Sequence, residues 1–118
     1  MVTGIAAAAL SGLQAAQTRL SVSANNVANQ FSVDGDEVYQ AQRAEQTPLA
    51  SGGVQAEVQL KDPATVPLAM DGKPREAPNV NEAEEVVQQQ LASYDFKANL
   101  KVLKAADEMA EELVNIVA

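Results

Sequence analysis

Apolar side chains recur with helical spacing in two long stretches, one at each end of the chain. In the first stretch, alternating steps of four and three residues connect Ala6, Leu10, Leu13, Gln17, Leu20, Ala24 and Val27. This is the heptad pattern of a helix that packs along one seam, with Gln17 as a polar residue within it. The pattern predicts an N-terminal helix over residues 1–29.

The second stretch predicts a longer helix over residues 81–118. Its apolar stripe has an average spacing of about 3.6 residues and consists of Val87, Leu91, Tyr94, Ala98, Val102, Ala105, Met109, Leu113 and Ile116. Asn81 is placed to act as the N-cap, with Glu84 as its capping-box partner. We interpret Glu82, Glu84 and Glu85 as first-turn acids that favour the helix dipole, and not as paired catalytic carboxylates.

Residues 30–80 contain short β-prone segments separated by turn signals. "VQAEVQL", residues 54–60, alternates apolar and polar positions, which predicts a half-buried strand, and residues 38–45 are a second strand candidate. Four prolines and an Asp-Gly pair interrupt residues 61–78, so we expect little regular structure there. Because two or three short strands cannot form an independent core, we expect a hairpin that rests on the helices or on a neighbouring molecule.

The fold class predicted is mainly α with a small β insert. Long N- and C-terminal amphipathic helices pack as a coiled-coil pair, with a short β-hairpin segment between them, in one structural unit. Pairing through one stripe of each helix leaves the other side of the first helix unburied, although that side carries almost no charge. Since a free surface helix usually carries charges, we expect neighbours to cover it. An alanine-rich coiled-coil arm with a thin interface is the alternative.

The composition argues against several classes of function. The 118 residues include no His and no Cys, which removes the usual general base, thiolate chemistry and the common zinc sites. We therefore expect no enzymatic activity and no cofactor. A net charge of −8 without a basic patch argues against nucleic acid as a partner. No apolar run approaches the ~20 residues of a membrane span, so no membrane insertion is expected.

Charge is distributed unevenly along the chain. Residues 1–33 contain a single charged side chain, Arg19, whereas residues 81–118 contain eight acids and three lysines. Glu111 and Glu112 lie at the negative end of the second helix dipole, each four residues after another acid, and both arrangements are unfavourable in an isolated helix. This end of the helix therefore predicts a partner that supplies basic side chains.

Two further segments have an ordinary interpretation. "DGDE", residues 34–37, is the only metal candidate, but it lacks the ligand spacing of a calcium loop, so we interpret it as a solvated turn. A calcium-responsive binding module is the weaker alternative. The N-terminal apolar stretch lacks a basic n-region and is interrupted by Ser11, Gln14 and Gln17, so we do not interpret it as a cleaved signal peptide.

Three asparagines, Asn25, Asn26 and Asn29, crowd the end of the first predicted helix. In one interpretation Asn29 is the left-handed residue that ends the helix, and the other two are incidental. In the other, their amides bond to backbone groups where the chain leaves the helix and so fix its exit direction. Spacing alone leaves both interpretations open.

Both ends of the chain resemble one known family. "LSGLQAAQTRLSVSANNVAN", residues 10–29, resembles the N-terminal signature of bacterial flagellar axial proteins, the rod and hook subunits, through its Gly-Leu pair and its Ala-Asn-Asn-Val-Ala-Asn motif. Residues 78–109 are similar to the other end of the family through Pro-Asn-Val-Asn, Glu84-Glu85, Tyr94, Ala98-Asn99 and Val102-Leu103. The short middle is similar to proximal rod proteins, most of all to the FlgC type, although residues 46–77 match weakly.

The resemblance implies a structural subunit of the flagellar basal-body rod. Such subunits are exported by the flagellar export apparatus without a cleaved signal peptide. They assemble helically in the periplasm around the export channel and transmit torque. The implied partners are other rod and axial proteins, the chain itself and the export apparatus. A soluble cytoplasmic coiled-coil adaptor or export chaperone is the alternative.

Site residues follow from the helix stripes and the asparagine motif. The predicted assembly interface consists of Leu10, Leu13, Leu20, Val27, Val87, Leu91, Tyr94, Val102, Met109 and Leu113. Asn25, Asn26 and Asn29 form the predicted helix-exit motif, which would give every subunit the same angle between the inner helix and the outer β segment.

Overall fold

Two long terminal helices enclose two β-hairpins in the sequence order. The computed structural model describes residues 2–33 and 37–117. Its elements are α1 (Val2–Ala28), β1 (Gln42–Pro48), β2 (Val54–Leu60), β3 (Thr65–Met70), β4 (Lys73–Pro78) and α2 (Glu82–Val117). The helices pack antiparallel along each other, and the strands form two separate two-stranded sheets. The predicted fold, mainly α with a small β insert, is confirmed.

The molecule is elongated and buries little of its own surface. It measures 76 × 24 × 18 Å with a radius of gyration of 19.8 Å, whereas a compact domain of this length has about 13–14 Å. Its accessible surface is 8133 Å², against about 6,100 Å² for a compact monomer of this mass. The single chain therefore leaves considerably more of its surface exposed than a compact monomer of the same mass does.

Small side chains of α1, and not its leucine seam, face α2. The inward positions have heptad spacing and are Ala9, Gly12, Ala16, Arg19, Ser23 and Asn26. Each lies one position before a predicted seam residue. A Cβ on Gly12 would overlap the Asn99 side chain, so the helices approach too closely there for leucine. Leu10 and Leu20 are about half exposed. The predicted seam is therefore wrong as the surface that pairs the helices.

The apolar stripe of α2 also faces away from its partner helix. The inward positions are Glu85, Gln89, Ala92, Phe96, Asn99, Leu103 and Ala106, which are buried or half-buried. The predicted stripe lies about two positions from this set, which corresponds to roughly 200° around a helix. Its large side chains, from Val87 to Leu113, are 44–71 % exposed. The helices do form a pair, but most of the inward residues are small or polar, with Phe96 and Leu103 as the large apolar members.

The hairpin β1–β2 packs on α1. Its register pairs Gln42 with Leu60 and Pro48 with Val54. At its turn, a Cβ on Gly53, which has a φ of 86°, would overlap the Ser11 side chain, and Ser11 Oγ accepts a hydrogen bond of 3.1 Å from the Val54 N–H. The predicted bounds of β2 are confirmed. Val58 and Leu60 are about half exposed, so the predicted burial of its apolar face holds only for the first half of the strand.

The second hairpin, β3–β4, corrects the expectation that residues 61–78 hold little regular structure. Asp71 and Gly72 both have positive φ, 53° and 72°, as the two central residues of a type I′ hairpin turn require. The prolines are compatible with this hairpin because each strand of a two-stranded sheet has an open edge, where a missing N–H breaks no ladder bond. The insert therefore contains two hairpins instead of one.

Candidate functional site: a buried polar joint and the exposed helix faces

Asn26 connects the end of α1 to the first strand. Its side chain is 1 % exposed. The amide nitrogen donates to the Gln42 carbonyl at 2.7 Å and to Glu85 Oε1 at 3.0 Å. The amide oxygen accepts from the Gln42 N–H at 3.0 Å and from the Tyr39 hydroxyl at 2.9 Å. These four bonds use the full hydrogen-bonding capacity of the amide and hold the backbone of β1 as a neighbouring strand would.

Glu85 brings the start of α2 to the same point. Its carboxylate accepts a 3.3 Å bond from Lys61 Nζ, and Lys61 Nζ also donates to the Asn79 carbonyl at 3.1 Å. The Ser23 hydroxyl donates to the Glu85 carbonyl at 2.9 Å. The side chains of Glu85 and Lys61 are only 5 % and 15 % exposed. We call Asn26, Tyr39, Gln42, Lys61 and Glu85 the joint, because it connects both helices and the base of both hairpins.

Backbone hydrogen bonds tie the two hairpins together beside the joint. Ala41, which is fully buried, donates to the Ala64 carbonyl at 3.1 Å and accepts from the Lys61 N–H at 2.8 Å. The Asn79 N–H donates to the same Ala64 carbonyl at 3.0 Å, and its side chain donates to the Pro63 carbonyl at 2.8 Å. The base of the insert therefore has a defined position relative to the helices.

Burial and charge also act on Tyr39. Burial raises the pKa of its phenol above 10.0, and the negative charge of Glu85 raises the pKa further. Both effects favour the neutral phenol, which is the form that donates to Asn26. Tyr39 therefore contributes a hydrogen-bond donor to the joint throughout the physiological pH range.

The three asparagines of the predicted helix-exit motif have different positions. Asn29 is not left-handed: the one non-glycine residue with positive φ among those described is Asp71. Instead, the Asn29 side chain donates to the Asn25 carbonyl at 2.9 Å, and Asn25 is exposed. The first interpretation of the motif is therefore wrong. Asn26 makes the backbone contacts that the second interpretation requires, while the role of the motif in the assembly stays a prediction.

A second polar contact crosses the middle of the helix pair. Arg19 Nη1 lies 2.6 Å from Asp95 Oδ2, and the arginine side chain is 15 % exposed. Sequence reasoning missed this pair and the role of Glu85 in the joint. The sequence does contain a signal for the Arg19–Asp95 pair, because Arg19 is the single charged residue among the first 33. For Glu85 there was none, because its neighbours Glu82 and Glu84 are equally acidic and are exposed.

Most of the predicted assembly-interface residues are exposed in the single chain. On α1 and α2 the exposed members are Leu10, Leu20, Val87, Leu91, Tyr94, Val102, Met109 and Leu113. We call these the outer stripes. Leu13 is buried and Val27 half-buried. Large apolar side chains exposed in this number are typical of an interaction surface.

Among residues 2–33 and 37–117, no group of three or more metal-binding side chains is placed to hold an ion. The two residues on which the calcium alternative rests, Asp34 and Asp36, lie outside the described residues. Neither helix has the length and hydrophobicity needed to cross a membrane over the part of the chain that the structure describes.

Comparison with known proteins gives matches at both ends. Residues 7–35 match the family model described as flagella basal body rod protein. Residues 76–116 match the model described as flagellar basal body rod FlgEFG protein C-terminal. Together the two models cover most of α1 and nearly all of α2, and they match more than half of the chain. No curated protein matches the chain.

Proposed function

Because this chain belongs to the flagellar basal-body rod protein family, we propose that it is a rod subunit that assembles helically through its outer stripes. Its partners are other rod proteins and further copies of itself. In this proposal the subunits surround the export channel and transmit torque. The family consists of structural proteins, so the chain acts through its shape and contacts. Assignment to the FlgC type stays a prediction, since neither matching model separates that type.

One observation carries the proposal: the large apolar side chains of both helices point away from the helix pair. Leu10 and Leu91 are each about half exposed, and Tyr94 is 71 % exposed. A monomer gains nothing from this arrangement, because burying apolar surface contributes about 25 cal/mol per Å² only when another molecule covers it. Helical assembly supplies such cover on several sides of each subunit by repeating the same heterologous contact.

The joint supports the proposal in a second way. A helical array requires the same angle between inner helix and outer insert in every copy. Asn26 and Glu85 bond to each other and to Gln42 and Lys61 at the base of the first hairpin, and Lys61 also donates to the Asn79 carbonyl at the base of the second. A different angle would leave these buried polar groups without partners, which is costly. Export without a cleaved signal peptide and a position in the periplasm are further parts of the proposal.

The decisive experiment replaces an outer-stripe residue and a matched neighbour. Leu91→Asp places a charge in the stripe, and Gln90→Asp places the same charge on an adjacent exposed position. Both variants should retain the helix content of the parent by circular dichroism, because neither site is buried in the chain. We expect Leu91→Asp to abolish incorporation into isolated basal bodies and motility, and Gln90→Asp to retain both.

Normal incorporation of Leu91→Asp would refute the role of the outer stripe. Retention of the unaltered chain in the cytoplasm with a single partner would favour the adaptor instead. The intact mass of the incorporated subunit tests the export route, since a cleaved signal would shorten the chain.

A further inference from the structure

The ends of α1 and α2 that lie away from the joint enclose an open groove. Its volume is about 1160 Å³, and α1 contributes Thr3 and Ala6 to its wall. The α2 wall is mostly apolar, with Ala98, Leu100, Leu103 and Ala106 among its residues. Small-molecule pockets are usually about 300–1,000 Å³ and more enclosed, so this groove has the size for a polypeptide segment.

The rim of this groove is basic. Lys97, Lys101 and Lys104 line it together with one acid, Asp107. These are all three lysines of α2. Lys104 makes an exposed contact of 3.9 Å with Glu108, while Lys97 and Lys101 have no ion-pair partner among the residues described. In a chain of net charge −8, this is a local positive site next to apolar surface.

The tail, residues 111–117, has the opposite properties. Every residue of this "EELVNIV" segment is exposed. Glu111 and Glu112 supply two negative charges without an ion-pair partner among the described residues. The apolar side chains are Leu113, Val114, Ile116 and Val117, which are 53–85 % exposed. The tail is thus apolar and acidic, where the groove is apolar and basic.

We propose that the tail of one copy docks in the groove of a second copy that runs in the same direction. The inference rests on the proposed function, since it names one contact of the assembly. The tail cannot reach its own groove, because it continues the same uninterrupted helix that forms the groove wall. A same-direction contact between different surfaces does not close on itself, so it extends from copy to copy.

The axial offset follows from the helix rise. The centre of the tail lies about 14 residues beyond the groove lysines, so copies in this contact are displaced by roughly 20 Å along the helix axis. Glu111 and Glu112 then lie beside Lys97 and Lys101 of the next copy. The unfavourable position of these acids at the negative helix end is compensated by charges from the neighbour.

Charge reversal on each side of the contact provides the test. Glu111→Lys with Glu112→Lys makes the tail basic, and Lys97→Glu with Lys101→Glu makes the groove acidic. Sedimentation of the full chain should show self-association weakened about tenfold or more in either variant, because like charges then meet. The quadruple variant, with all four changes in one chain, should associate nearly as well as the parent.

A mixture of the two double variants sharpens the test. Each variant alone brings like charges together, but in the mixture every tail meets a groove of opposite charge in the other variant. We expect large mixed species from components that do not associate alone. Failure of both the mixture and the quadruple variant to associate would overturn the proposal, and so would arrest at a dimer, which requires copies in opposite directions.

Controls separate this inference from the proposed function. Glu57→Lys with Glu76→Lys makes the same charge change as the tail variant at exposed hairpin positions, and it should leave association within about twofold of the parent. Helix content by circular dichroism should be equal in all variants. If the parent chain forms large species and the reversals do not affect them, the inference fails and the rod function stands. If the parent never associates, the proposed function fails as well.

Discussion

The two ends of the helix pair differ in how much of their surface is buried within the chain itself. At one end, the joint places Asn26, Glu85 and Lys61 in mutual hydrogen bonds with almost no exposure. At the other end, α1 and α2 enclose an open groove, and the last seven described residues of α2 are all exposed. At one end the polar groups are paired within the single chain, and at the other a large apolar surface is left exposed.

This difference shows how one chain can combine rigidity with assembly. Polar groups inside the joint must all find partners, because an unpaired buried donor or acceptor costs about 1–3 kcal/mol. They therefore permit one arrangement. The open end relies on apolar burial, which is not directional, and on exposed charges. Mutations at the joint should therefore reduce the stability of the single chain, whereas mutations at the outer stripes and tail should reduce association.

Removal of the joint carboxylate should have the largest effect on stability. Glu85→Ala leaves Lys61 with a largely buried charge and without its carboxylate partner, and we expect a loss of about 3 kcal/mol in the free energy of unfolding. Glu84→Ala is the matched control, since Glu84 is exposed one position earlier. It removes a first-turn acid that favours the helix dipole and should therefore lower the value by less than about 1 kcal/mol. Urea denaturation at one low protein concentration measures both. Equal losses would contradict the central position of Glu85.

The asparagine pair provides the next test. Asn26→Ala removes four hydrogen bonds and leaves both backbone groups of Gln42 without their partner, so we expect a loss of about 2 kcal/mol. Asn25→Ala changes an exposed neighbour in the same helix and should have little effect on unfolding. The same denaturation measurement applies. If Asn25→Ala proved the more destabilising variant, the bonds seen at Asn26 would not be those that stabilise the joint.

Substitutions at two glycines of α1 test how closely α1 and α2 approach each other along the middle of the helix pair. An added Cβ at Gly12 would overlap the Asn99 side chain, whereas at Gly4 it would meet nothing within 4 Å. Gly12→Ala should therefore lower the free energy of unfolding by about 1 kcal/mol or somewhat more. Gly4→Ala should raise it by up to about 1 kcal/mol, because alanine favours the helix. A gain in both variants would show that the Asn99 side chain moves aside without cost.

The contrast between the joint and the open end also explains which features of the structure the sequence predicts. The helices, β2 and the N-cap were predictable because each depends on local spacing or local chemistry; Asn81 Oδ1 does accept from the Glu84 N–H, at 3.3 Å. The face on which α1 and α2 meet was not. Hydrophobic patterning assigns the largest side chains to the inside, whereas Leu10, Leu91 and Tyr94 lie on the outside of this helix pair.

The joint was only partly predictable for a related physical reason. The asparagine motif indicated polar bonding at the helix exit, but its main partner, Glu85, lies 59 residues away along the chain. Sequence spacing carries no information about a contact at that distance. The second hairpin differs, because its signal is local: Asp71-Gly72 is a strong turn signal, and the hairpin forms around it despite the surrounding prolines.

The smallest effect is expected from Tyr39, at the edge of the joint. Its pKa is raised in the folded chain, by burial first and by the charge of Glu85 second. A raised folded pKa means that the stabilising contribution is fully present below pH 10.0, the unperturbed value, and is lost as the pH rises through the folded pKa. Tyr39→Phe should therefore weaken the loss of stability in alkali. The informative quantity is the difference between variant and parent in the free energy of unfolding from about pH 8 to about pH 11.5. Tyr94→Phe, at an exposed position outside the joint, should reproduce the parent profile. If the two variants gave the same profile, the phenol of Tyr39 would not be part of the titrating joint.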